Sequence, residues 1–152
     1  LCFSQEQAAA VHAATRGAVT GQVYISPFIG RLDDEGQNGM DLVRNILRMY
    51  KAENSHVQVL AASIRNFEHF AQALHVGAEI ITAPKNVLLE WIEDHDMSLP
   101  DIGIYETPQG LNKIEYFELD LEAAWQSFDI AHHKTNEGLR AFAQDWNDLI
   151  KS

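Results

Sequence analysis

Two hydrophobic periods alternate along residues 1–97. Short apolar runs rich in β-branched and aromatic residues fall at 22–26, 57–62 and 79–83, and each reads as a strand. Leu1-Cys2-Phe3 reads as a strand already in progress, so the expectation is that the chain begins inside a domain. Helical periodicity fills the intervals. Ser4 caps an alanine-rich helix over 5–15, with Gln7 at the capping-box position and Gly17 as its stop. Met40 to Lys51 places Leu42, Val43, Ile46, Leu47 and Tyr50 on one buried stripe. Asn66 caps a short helix to about His75, which Gly77 ends. A further helix runs from about Lys85 to Glu93, with Val87, Leu88, Trp91 and Ile92 inward.

This β-α-β-α-β-α-β-α order implies a parallel sheet joined by crossovers. The fold class is therefore α/β, of the (β/α) TIM-barrel type, with about four βα units, half of an eightfold barrel. The units occupy 1–97 of a single domain spanning 1–152. Over 98–134 the pattern lapses into an irregular arm broken by Pro100, Gly103, Pro108 and Gly110, within which Ile114 to Leu121 reads as a β-ribbon or simply an extended arm. Thr135 caps a terminal helix over 135–151, with Leu139, Phe142, Trp146, Leu149 and Ile150 on one stripe. Right-handed crossovers put the helices on the outer face of such a half-barrel. Val23, Ile25, Val59 and Ala61 are expected to divide between the two faces, and the inner face then needs a cover: a second chain, the missing half, or the arm folded inward.

The chain has 152 residues, 46% of them apolar, enough for a core. Its net charge of −11 argues against nucleic acid and against an anionic membrane as partners. Any anion site must then be local. The one cysteine, Cys2, allows no intrachain disulfide and fits a reducing, cytoplasmic setting. No apolar run reaches the ~18 residues of a membrane span, and no signal peptide is read in the sequence.

The candidate chemistry sits at two strand ends. Pro27 cannot donate to a ladder, so the first strand should stop there and leave Phe28, Gly30 and Arg31 in a loop beyond its carboxyl end. The strand of Val57 to Ala62 likewise runs into Ser63 and Arg65. Parallel strands would aim both guanidiniums at the edge where α/β proteins bind ligands, and arginine forks suit phosphate. The competing reading pairs each arginine with a nearby acid. Asp33, Asp34 and Glu35 read as a solvated loop balancing Arg31 rather than as a metal site. His69 and His75, six apart on a helix, face different ways, and His132 and His133 in an extended arm should point apart. No metal site is assigned. Ser63 lacks the G-x-S-x-G context of a hydrolase nucleophile.

Phe3-Ser4 opening a helix, Ser26-Pro27-Phe28-Ile29-Gly30-Arg31, and Ala61-Ala62-Ser63-Ile64-Arg65, in this order and spacing, resemble the transaldolases. The closing helix with Asp145-Trp146 looks like theirs. The likeness spans residues 1 to about 97 and returns over about 135–151, and its most specific part is S-P-F-x-G-R. It implies the carboxyl-terminal half of a class I, Schiff-base-forming barrel. Such an enzyme moves a dihydroxyacetone unit between sugar phosphates of the pentose phosphate pathway through a lysine imine, with no metal or organic cofactor. By position, Arg31, Ser63 and Arg65 resemble the family's phosphate clamp, Ser26 a serine near the sugar hydroxyls, and Phe28 the pocket wall beside the imine. The resemblance puts the imine lysine and its acid–base partners upstream of Leu1, so no catalytic residue is assigned here. Among Lys51, Lys85, Lys113, Lys134 and Lys151, only Lys85 follows a strand, and not the family's lysine strand. The expected partners are sugar phosphates and either the missing amino-terminal half or a copy of this chain. The alternative is a non-catalytic phosphosugar-binding half-barrel that assembles with a second chain.

Overall fold

The computed structural model describes residues 1–100 and 106–151, so Gly103, read above as a breaker, lies outside the described residues. In chain order the elements are α1 (Gln5–Ala14), β1 (Tyr24–Ile25), α2 (Ile29–Asp33), α3 (Gly39–Ala52), β2 (Gln58–Ala61), α4 (Phe67–His75), β3 (Ile80–Ile81), α5 (Lys85–Glu93) and α6 (His133–Lys151), with a 3-10 turn at Trp125–Ser127. The strands form one parallel sheet in the order β1-β2-β3. Cys2 extends it on the β1 side: its N–H donates to Ser26 O at 2.8 Å, and its carbonyl accepts from Phe28 N at 3.2 Å.

Two helices start by the same local device. In α1 the Ser4 hydroxyl accepts from Gln7 N at 3.1 Å, and Gln7 Oε1 accepts from Phe3 N at 2.8 Å. In α4 the Asn66 side chain accepts from His69 N at 2.8 Å, and His69 Nδ1 accepts from Arg65 N at 3.4 Å. Each is a capping box whose return bond reaches one residue further back than usual. The stripe of α3 is buried as its periodicity predicts: Leu42, Val43 and Ile46 are fully enclosed, and Tyr50 donates its hydroxyl to Ala8 O of α1 at 2.8 Å. Each such burial contributes about 1.5–3 kcal/mol.

Register decides what each sheet face carries. Tyr24 pairs Gln58, Ile25 pairs Val59 and Phe28 pairs Ala62, a constant offset of 34 residues (58 − 24 and 62 − 28). An even offset puts residues of equal parity on one face. Val23, Ile25, Val59 and Ala61 therefore share a face instead of dividing between two, a correction to the expectation above; Ile25, Val59 and Ala61 are buried there, and α3 packs against β2. The opposite face carries Tyr24, Ser26, Phe28, Gln58, Leu60 and Ile80, and it is more open: Tyr24 is 45% and Ile80 37% exposed.

From Ile114 to Ala123 the arm lies on the helices instead. It runs across α1 and α3. Ile114 N donates to Asp41 at 3.1 Å, Asn45 donates to Ile114 O at 3.0 Å, Gln5 donates to Phe117 O at 2.6 Å, and Arg16 donates to Leu121 O and Ala123 O. Burial pushes the Asp41 carboxyl above its ordinary value, with the Ile114 N–H opposing that rise. Leu121 and Phe128 anchor the arm in the core, and Ile114–Leu121 forms no ribbon.

Three helix expectations need correction. Phe28–Asn38 is not all loop, because Ile29–Asp33 winds into a helical turn. Phe28 offers no side-chain cap; Ile29 N and Gly30 N donate instead to Ala62 O and Ser63 O, both at 3.0 Å, so a tertiary contact starts this turn where a sequence signal is lacking. The helix α6 begins at His133, and Thr135 is not its cap; the Thr135 hydroxyl accepts from Gln7 Nε2 at 2.9 Å and ties α6 to α1. The predicted inward stripes of α5 and α6 are largely exposed. Only Val87 of α5 is buried, and Leu139, Phe142, Trp146, Leu149 and Ile150 are 47–68% exposed, because these helices lie at the edges of the described structure. No helix among the described residues is long and apolar enough to cross a membrane.

Candidate functional site

The two strand ends are joined through the backbone. Beyond β1, Pro27 cannot donate, but its carbonyl accepts from Ala62 N at 3.0 Å, and the bonds from Ile29 and Gly30 to Ala62 and Ser63 continue the seam. Gly30 is required by this approach and not by a turn. A Cβ there would lie 2.5 Å from Arg65 Cγ and 2.6 Å from the Ser63 carbonyl oxygen. Ser63 itself has φ +60°, in the left-handed region that non-glycine residues seldom occupy.

The guanidiniums leave this seam toward different partners. Arg31 lies 5.3 Å from the Phe28 ring centroid and 5.7 Å from that of Phe142, between two aromatic faces. It is half-buried beneath α6, where a Cβ on Gly138 would come within 3.2 Å of Arg31 Nη1 and 2.7 Å of a Leu1 methyl. Phe28 also meets Phe3 at 5.9 Å, and Phe3 stacks on His132 at 5.1 Å. Arg65 is exposed and pairs with Asp34 at 2.6 Å. Ser26 and Phe28 stand on the open sheet face, with Ser63 beyond the end of β2. Ser26, Phe28, Arg31, Ser63 and Arg65 thus cluster at the carboxyl end of the sheet. Among the described residues Arg31 and Arg65 share no partner.

The acids at the end of α2 and just past it do not balance Arg31. Asp33 pairs with His69 Nε2 at 2.9 Å, Asp34 with Arg65, and Glu35 with His133 Nε2 at 2.6 Å and Lys134 Nζ at 3.2 Å. The hydrogen bonds from His133 and Lys134 hold the Glu35 carboxyl below its usual range. The flaw in the earlier expectation was nearness in sequence: the helical turn of α2 points these acids across the seam. His132 and His133 do not point apart either. Their rings stack at 4.6 Å, because His133 already belongs to α6. Among the described residues no cluster of three or more His, Cys, Asp or Glu could hold a metal ion. A cavity of about 600 Å³ opens beside Phe3, Leu32, Glu35, Phe117 and His132, but the five clustered residues do not line it. Lys85 is exposed at the start of α5.

The hydrogen bonds of His69 to the Arg65 N–H and to Asp33 were not foreseen. A signal was present: with Asn66 as cap, His69 is the third helical residue, from which a capping-box side chain reaches back.

Residues 1–152 match the transaldolase/fructose-6-phosphate aldolase family. The chain belongs to that family. It is 43% identical over 104 residues to a probable transaldolase of Dehalococcoides mccartyi, covering 68% of this chain and 44% of the relative. A probable transaldolase of Myxococcus xanthus is 43% identical over 105 residues, 68% of this chain and 43% of its own. One from Caulobacter vibrioides is 47% identical over 87 residues, 57% of this chain and 37% of its own. The chain thus spans less than half the length of the curated relatives it matches.

Proposed function

We propose that this chain forms the phosphate-binding side of a transaldolase-type site. In the whole protein that site moves a dihydroxyacetone unit between sugar phosphates through a lysine imine. Family membership supports the reaction class. The observation that carries the phosphate reading is the seam from Gly30 N to Ser63 O, which sets Arg31 and Arg65 at one edge of a parallel sheet. In this reading the sheet is part of a (β/α) barrel, the open face of Tyr24, Ser26, Phe28, Leu60 and Ile80 is its interior, and Arg31 and Arg65 grip the phosphate with the Ser63 hydroxyl. Ser26 and Phe28 face the sugar.

None of this chain's lysines sits in the desolvated interior that keeps an imine-forming amine neutral. Borohydride trapping with fructose 6-phosphate should therefore leave this chain unlabelled. The phosphate reading is tested by titrating fructose 6-phosphate against fructose. The phosphate should strengthen binding, and Arg31→Ala or Arg65→Ala should each remove about ten- to a hundredfold, since a charged hydrogen bond is worth ~1.5–3 kcal/mol. Equal affinities for the two sugars would refute it.

A second reading has its own observation. The open sheet face and the exposed apolar stripe of α6 favour a half-barrel that assembles with another chain and binds phosphosugars without turning them over. A mass in solution equal to one chain, across the micromolar range, would remove that reading.

A further inference from the structure

We propose that His69 is a positioning residue for the second strand end: it holds the turn from Ser63 to Arg65 against α2 and so sets where the Arg65 guanidinium projects. The inference rests on the phosphate-side reading above and adds to it a residue that no motif assigns. Because His69 Nδ1 accepts the Arg65 N–H at 3.4 Å, the ring proton belongs on Nε2, which faces Asp33 Oδ2 at 2.9 Å. Asp33 Oδ1 in turn accepts from Gly39 N, the first residue of α3, at 2.9 Å. A chain of bonds thus runs from the start of α3, through the end of α2, to the backbone that carries Arg65.

Shielding separates this strut from the neighbouring ion pair. The His69 and Asp33 side chains are 14% and 17% exposed, whereas Arg65 and Asp34 are 52% and 60% exposed. An exposed pair contributes ~0–1 kcal/mol and is screened by salt, so Asp34 alone is a poor anchor for Arg65. The left-handed Ser63 needs support on both sides, since such conformations persist only where the surroundings over-determine them. Gly30 N supplies it at the Ser63 carbonyl, and His69 supplies it two residues on, at the Arg65 N–H. Placement matters because a fork gripping phosphate tolerates little misalignment.

The test uses the full chain and two readouts. Hydrogen exchange at the Arg65 amide reports on the strut without ligand, and titration with fructose 6-phosphate and with fructose reports on phosphate recognition. In His69→Ala the Arg65 amide should exchange about fivefold faster, the equivalent of one net hydrogen bond of ~1 kcal/mol. Affinity for fructose 6-phosphate should fall by a similar factor and that for fructose should hold. His69→Asn, whose Oδ1 stands where Nδ1 stood, should restore most of both. An unchanged Arg65 amide in His69→Ala overturns the proposal, and so does a faster amide with phosphate recognition intact. A wild-type chain that binds both sugars equally overturns the phosphate-side reading itself, and the exchange data then still say whether the strut exists.

Discussion

The ends of β1 and β2 carry the same kind of message, an apolar strand followed by a serine and an arginine, yet they are built differently. Arg31 is half-buried between the rings of Phe28 and Phe142 and lies beneath α6. Arg65 is exposed and leans on one carboxylate. An arginine between aromatic faces keeps its fork in place before a ligand arrives, because stacking leaves the N–H groups free to donate. An arginine on an exposed carboxylate must exchange that partner for the ligand. In the proposed phosphate-side reading, one end is set by packing and the other by competition.

Gly30→Ala attacks the seam that both ends share. The new methyl would meet the Ser63 carbonyl and the Arg65 side chain, so it should cost about 1–3 kcal/mol, as overpacking does, and lower the melting temperature by several degrees. A melting curve equal to wild type would mean that the seam is not tight. Arginine substitutions then separate the ends. Arg31→Ala should destabilise by about 1–2 kcal/mol through the lost ring contacts, and Arg65→Ala by less than about 0.5 kcal/mol. Equal losses in urea titration would erase the distinction between packing and competition.

Acidification should weaken the packed end. Burial first, and then the neighbouring His133, lowers the pKa of His132, which stacks on Phe3 beside Phe28. With a folded value below the ordinary 6.5, its contribution is fully present above that pH. It fades as the pH drops further, because the unfolded chain takes up the proton more readily. Thermal midpoints between pH 7.5 and 5 should therefore fall less steeply in His132→Gln than in wild type. The smallest effect belongs to Asp34→Asn. With the competitor gone from Arg65, affinity for fructose 6-phosphate should rise about twofold, in line with the weak worth of an exposed pair. A fall in affinity would mean that Asp34 orients Arg65 and does not compete for it.

Much of the architecture was legible because it is written locally. Ser4 with Gln7, Asn66, the stripe from Leu42 to Tyr50 and the strand starting at Val57 each act within a few residues, and their elements appear where they were read. The helical turn at Ile29–Asp33 was missed because its first N–H groups are satisfied by the residues just past β2, more than thirty positions on (Ala62 from Ile29 is 62 − 29 = 33). The partners of Asp33, Asp34 and Glu35 were missed for the same reason: the nearest cation along the chain, Arg31, is not the nearest in space. The exposed stripes of α5 and α6 show the converse limit, for an apolar period says that a face needs a cover and not what supplies it.

Ser63 places an unusual demand on the choice of amino acid. Its backbone lies at φ +60°, which glycine takes freely and β-branched residues resist. If the site also needs a hydroxyl there, glycine and asparagine satisfy the backbone but not the chemistry, and threonine the chemistry but not the backbone. Serine alone meets both at a tolerable strain of about 1–2 kcal/mol. Position 63 therefore has an alphabet of nearly one letter. A library sorted only for folding should drift toward Ser63→Gly, and one sorted for phosphate binding should return to serine.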